Sequence, residues 1–191
     1  MLVRRTATTA LTVLAALCAS AVPAATVRAA TPETLDCLTN AAVAFSPPLS
    51  ATAQATTVAI TGTVSGCTDS RSGGTAITGG TVTTTLHFGS LSCNPLLPAT
   101  LTPGASAAFL WNLADGSHSS STVTGLALTQ VDGAGTLTGT VTNTSPRLSG
   151  EALTSLLNID SDQPILDNCV DVLLGAPPIA NSTLTADVAF G

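Results

Sequence analysis

Lysine and tyrosine are absent from this chain of 191 residues, and aromatic residues make up 3% of it. So few aromatics leave nothing to build the interfacial girdles of a lipid-embedded barrel, so a membrane barrel is not expected. Two histidines exclude a histidine-rich metal site. Charge is equally scarce, at 8% of residues. Past residue 29, only Arg71 and Arg147 oppose eleven carboxylates. A surface of that sign repels phosphate backbones and anionic headgroups, which argues against nucleic acid or an anionic membrane surface as partner. After the N-terminal segment no apolar run approaches the ~20 residues of a spanning helix. No Gly-x-Ser-x-Gly elbow, the usual seat of a serine nucleophile in α/β-hydrolases, occurs.

What is present begins with an export pattern. Arg4 and Arg5 precede an apolar or small-residue stretch from Ala7 to Val22. Val22-Pro23-Ala24 and Val27-Arg28-Ala29 both offer the small residues that signal peptidase reads. Residues 1–29 read as a signal peptide with cleavage after Ala29, and Ala24 as the alternative. Residues 30–191 read as a single secreted domain. Leu17 is too large to precede a lipoprotein cysteine at Cys18, so no membrane anchor is expected. The expected location is extracellular.

Export leaves Cys37, Cys67, Cys93 and Cys169, an even number in an oxidising compartment, which reads as two disulfides. No close Cys or His pairs suggest zinc. If the first two strands pair antiparallel, Cys37, before the first, meets Cys67, after the second. Cys93 follows the third strand at the opposite end. The expected bridges are Cys37–Cys67 and Cys93–Cys169.

The dominant period is two. Val58, Ile60, Gly62 and Val64 alternate with Thr57, Ala59, Thr61 and Thr63; Val82, Leu86 and Phe88 recur among Thr81, Thr83, Thr85 and His87. Ala105, Ala107, Phe109 and Trp111 repeat the pattern, as do Leu137, Gly139 and Val141, and Leu184, Ala186, Val188 and Phe190. Such alternation marks half-buried strands. Weaker strands are expected over 122–131 and 148–156, with hairpin turns at Asp115-Gly116 and Asp132-Gly133. Leu153 to Leu157 is the one place for a short helical turn, and residues 157–180 read as an irregular crossover. About eight strands predict an all-β fold: an antiparallel β-sandwich, immunoglobulin-like, with a closed β-barrel as the alternative.

Several features together resemble a group of small secreted actinobacterial all-β proteins of unassigned function. They are the Ala/Thr-rich exported start, Phe45-Ser46-Pro47-Pro48-Leu49, the cysteine layout, and Trp111 followed by Asp115-Gly116-Ser117. The resemblance implies fold and location and carries no catalytic residue. A looser likeness, to the apoproteins of enediyne chromoproteins, implies small-ligand carriage. Their disulfides close short local loops, whereas the cysteines here are widely spaced.

The chemistry-bearing candidates each have a plain counterpart. Asp115, Ser117 and His118 offer acid, nucleophile and base within four residues, but Asp-Gly-Ser is also an ordinary hairpin tip. His87 reads as a solvent-facing strand residue. Asp160, Asp162, Asp167 and Asp171 are hard oxygen ligands dense enough for Ca²⁺, although their spacing is not that of an EF-hand. A solvated acidic loop is the simpler expectation. Trp111 is expected in the core. Thr136, Thr138, Thr140, Thr142 and Thr144 suggest a flat ladder of the kind found on ice-binding surfaces, against plain β propensity on a solvent face.

The leading functional reading is a secreted, non-catalytic extracellular or envelope-associated protein. Its partner is an unknown extracellular molecule or small ligand, and no catalytic residue or cofactor is expected. A small-ligand carrier is the alternative. A hydrolase using the acidic segment is the second alternative.

Overall fold

Alternating apolar and threonine side chains drive this chain into long strands, and each long strand finds a neighbour on both sides. The computed structural model describes residues 33–94, 97–131, 134–145, 147–157 and 164–191. They belong to a compact unit spanning Pro32–Gly191. The expected leader, Asp132-Gly133, Asp160 and Asp162 lie outside the described residues. The elements are β1 (Leu35–Leu49), β2 (Gln54–Asp69), β3 (Ile77–Leu91), β4 (Thr100–Leu101), β5 (Ala107–Leu113), β6 (His118–Val131), β7 (Ala134–Val141), β8 (Ala152–Leu157), α1 (Pro164–Leu173) and β9 (Ile179–Phe190).

Eight of these strands close into one antiparallel barrel, which corrects the expectation of a sandwich. β1, β2, β3, β5, β6, β7, β8 and β9 pair in that order, and β9 returns to β1. At the closing seams Ala42 faces Thr61 on one side and Thr183 on the other, while Thr61 also faces Thr83. The two-residue β4 pairs with β3 beyond the stretch that β5 occupies. Spatial order follows chain order, so there is no Greek-key crossover and the topology is not immunoglobulin-like. The alternation could not distinguish the two architectures, because both bury one face of every strand. Curvature decides between them. Gly80 lets β3 approach β5: a Cβ there would collide with the carbonyl oxygen of Leu110. At Gly62 a Cβ would lie 2.8 Å from both Ala41 Cβ and the Asn40 carbonyl on β1.

Two further expectations are corrected. The segment Leu153–Leu157 makes no helical turn; it lies in β8, between β7 and β9. The region expected to be irregular contains α1. Pro164 suits the first helical turn, Asp167 complements the positive end of the dipole, and Gly175 (φ 103°) terminates the helix. Ile165, Cys169, Val170, Val172 and Leu173 share one side of this ten-residue helix, opposite Asp167, Asn168 and Asp171, a stripe too short to stand out from the proline- and aspartate-bearing segment around it.

The chain's direction gives the barrel two unlike ends. At the charged end lie the start of β1, the β2–β3 loop, the β5–β6 hairpin, the β7–β8 loop and the end of β9. The Cys37–Cys67 disulfide ties β1 to β2 there. At the helix end, Cys93–Cys169 ties the segment after β3 to α1. These are the pairs to which antiparallel strand order points. The interior holds an aromatic cluster. Phe109 stacks on Trp111 with ring centroids 4.9 Å apart, and Phe190 meets both edge-on at 5.4 and 5.6 Å. Trp111 has no solvent exposure, as its alternation with Ala107 and Phe109 requires.

Candidate functional site

Both arginines of the described residues converge at the charged end. Asp69, at the end of β2, accepts hydrogen bonds from Arg71 Nε and Nη2 (both 2.8 Å), the Ile77 amide (2.9 Å) and Arg147 Nη2 (3.3 Å). Arg71 Nη1 also donates to the Arg147 carbonyl at 3.1 Å and lies 3.6 Å from Glu151 Oε1. The side chains of Asp69 and Arg71 are 3% and 6% exposed. Burial alone would raise the Asp69 pKa. The hydrogen bonds from Arg71 and Ile77 and the guanidinium charge outweigh it and hold the carboxyl at about 2. Arg71 is opposite in sign: burial would lower its pKa, and Asp69 and Glu151 raise it above the ordinary value. The cluster joins the β2–β3 loop to the β7–β8 loop. It holds buried charges in paired form and offers no group poised for proton transfer. Sequence reading missed it. The signal was there in part, since two lone arginines among eleven carboxylates must find partners, but their mutual approach is a product of the fold.

The Asp115–His118 constellation does not assemble a catalytic set. Asp115 Oδ1 accepts from the Ser117 amide (2.9 Å) and hydroxyl (2.6 Å), and Oδ2 accepts from Thr75 Oγ1 (3.1 Å). These bonds, led by the Ser117 hydroxyl, lower the carboxyl pKa. Gly116 (φ 82°) takes the turn, and Leu113 N donates to the Ser117 carbonyl. The hydroxyl that would act as nucleophile is thus spent on the acid, and the group is a hairpin tip. His118 faces Asn112 across the hairpin and is exposed.

His87 sits on the outer wall opposite Thr57, whose hydroxyl is 3.1 Å from its Nδ1. Asp167 and Asp171 lie four residues apart on α1, both exposed. The other two calcium candidates, Asp160 and Asp162, lie outside the described residues. Among the described residues no group of three or more His, Cys, Asp or Glu side chains is placed to hold a metal ion. The expected five-member threonine ladder is shorter than its spacing suggests. Thr136, Thr138 and Thr140 lie on β7, but the strand stops at Val141, and Thr142 bonds instead to Thr144 and Ser145 at 3.2 Å.

The larger array lies elsewhere. On the outer wall Thr61 faces Thr83 and Thr63 faces Thr81. The same rows continue through Ala42 and Asn40 of β1 to Thr183 and Thr185 of β9, and through Ala108 and Leu110 of β5 to Thr122 and Ser120 of β6. These two rows cross six strands without a charged side chain. Two depressions mark the outside of the barrel. One of 290 Å³ is lined by Leu110, His118, Ser119 and Ser120. The other, of 370 Å³, crosses β2, β1, β9 and β8 beside Asp36, Leu38, Leu156 and Asp187. Among the described residues no helix is long and apolar enough to cross a membrane. Neither a protein-family model, nor a curated protein, nor a solved structure matches this chain.

Proposed function

We propose that this protein is an exported, non-catalytic extracellular or envelope-associated barrel that acts through its outer wall. The observation that carries the reading is the contrast between inside and outside. The interior is occupied by Trp111, Phe109, Phe190 and their apolar neighbours, whereas the two rows that cross β9, β1, β2, β3, β5 and β6 offer uncharged hydroxyl, amide and methyl groups to solvent. Two disulfides fit an oxidising compartment and suit a protein working outside the cell. The fold and export pattern also fit the small secreted actinobacterial proteins that the sequence resembles.

A carrier needs a cleft that encloses its ligand, and the two depressions described among these residues lie open on the outside. A hydrolase needs carboxylates brought together in a recess, and the two described carboxylates of the acidic segment, Asp167 and Asp171, stand in solvent. A thermal-shift screen of the oxidised protein against neutral apolar small molecules tests the reading. No compound is expected to raise the melting temperature. A compound that raised it and also shifted Trp111 emission would replace this reading with the carrier.

A further inference from the structure

We propose that the groove between Leu38 and Leu156 on the outer wall docks a basic peptide segment of another extracellular protein. An arginine or lysine side chain of that segment sits between Asp36 and Asp187. This partner rests on the reading of the outer wall as the working surface. A failure to bind would leave that reading standing, because the two uncharged rows that carry it lie outside the groove.

The first observation is where charge falls on the wall. Among the residues of the nine strands, only Asp36, Asp69 and Asp187 are charged. Asp69 is turned into the cluster with Arg71 and Arg147. Asp36 and Asp187 are both exposed. Register makes them diagonal neighbours: Asp36 faces Ala189 on β9, two residues from Asp187. Side chains so placed lie about 7–8 Å apart, close enough for one cationic head to meet both. Thr34 Oγ1 donates to Asp36 Oδ2 at 2.9 Å and fixes one oxygen of that carboxylate. With eleven carboxylates against two arginines past residue 29, the domain also draws cations from a distance.

The second observation is what flanks the charge. Asp187 faces Leu38 on one side and Leu156 on the other, so the row reads Leu156, Asp187, Leu38. The two leucines are 39% and 50% exposed. They stand two strand spacings apart, roughly 9–10 Å. Arginine and lysine carry a charged head on an apolar stem, and a carboxylate between two leucines matches that order.

The third observation is shape. These residues border a groove of 370 Å³ across β2, β1, β9 and β8, and every residue lining it is among those described. Beneath it, Cys37 and Val188 are buried in the core. The register shift between Asp36 and Leu38 lies opposite Gly66 (φ 60°), where no side chain narrows the groove. The Cys37–Cys67 disulfide ties β1 to β2 at this point, so the floor is set before a partner arrives. An open groove on rigid strands accepts a length of chain rather than enclosing a small molecule.

A leucine–arginine–leucine peptide, blocked at both ends, tests the site when titrated into the oxidised mature chain and followed by amide chemical shifts. Saturable shifts are expected at Leu38, Leu156 and Asp187, with binding that weakens as salt is raised. Asp36→Asn with Asp187→Asn should weaken binding about tenfold, and replacing the peptide's arginine by glutamine should do the same to the wild type. Leu38→Ser with Leu156→Ser should weaken it several-fold. Leu110→Ser, in the other depression, should bind as the wild type does. The proposal is overturned by the absence of saturable shifts, by shifts centred outside the groove, or by equal binding of the glutamine peptide. Equal binding of free agmatine, a guanidinium on an alkyl stem, would also overturn it and make this a site for small organic cations.

Discussion

The indole nitrogen of Trp111 donates to the hydroxyl of Ser121 across 3.0 Å, with both side chains buried inside the barrel. The bond joins neighbouring strands β5 and β6 beneath the hairpin tip and satisfies the one polar atom of the largest core side chain. Ser121→Ala removes the acceptor and leaves the N–H buried. The expected cost is about 1–3 kcal/mol. Denaturant unfolding followed by Trp111 fluorescence should show a lower midpoint with an unchanged slope.

Asp69 is the keystone of the charged end. Asp69→Asn removes the nearer counter-charge of buried Arg71 and leaves only Glu151 at 3.6 Å, which should cost about 3 kcal/mol. The wild type should also show a defined acid dependence. The folded carboxyl titrates at about 2, below its ordinary 3.8. Its contribution is therefore complete above the unfolded pKa and is lost as pH falls from about 5 toward 2, amounting to roughly 2–2.5 kcal/mol. Unfolding free energies measured between pH 7 and pH 2 should fall by that much more in the wild type than in the variant.

Close approach at the β3–β5 seam depends on Gly80. A methyl group there meets the backbone of Leu110 and Trp111, which has no flexible end to move aside. Gly80→Ala should destabilise the fold by about 1–3 kcal/mol and redshift Trp111 emission as the seam opens. A melting temperature equal to the wild type's would contradict so tight a seam.

The cystines close loops of 30 and 76 residues. In the chain-entropy model they contribute about 3.5 and 4.5 kcal/mol respectively. Replacing each pair by serines and comparing unfolding free energies should therefore rank Cys93–Cys169 above Cys37–Cys67. Peptide mapping without reductant should recover only these two linkages.

Much of this architecture was legible in the residues. Period-two alternation placed most of the strands, put Trp111 inside and brought Cys37 to Cys67, because these properties follow from one strand and its neighbour. Barrel closure was not legible, since it depends on the meeting of β9 with β1, at opposite ends of the chain. α1 was not legible because its apolar side, Ile165, Cys169, Val170, Val172 and Leu173, spans only ten residues inside a segment marked by aspartates and proline. The approach of Arg147 to Asp69, 78 residues away, has no local signature. The β7 threonines are visible along one strand, whereas the rows through Thr61 and Thr83 form only when neighbouring strands align.

Closure is tested most directly by nuclear Overhauser contacts across the two seams that flank β1. A barrel predicts contacts between Ala42 and Thr61 and between Ala42 and Thr183, together with the Thr61–Thr83 contact that carries the ring onward. Silence at the Ala42–Thr183 seam, with rapid amide exchange along one side of β1, would mean an open sheet and would contradict the barrel.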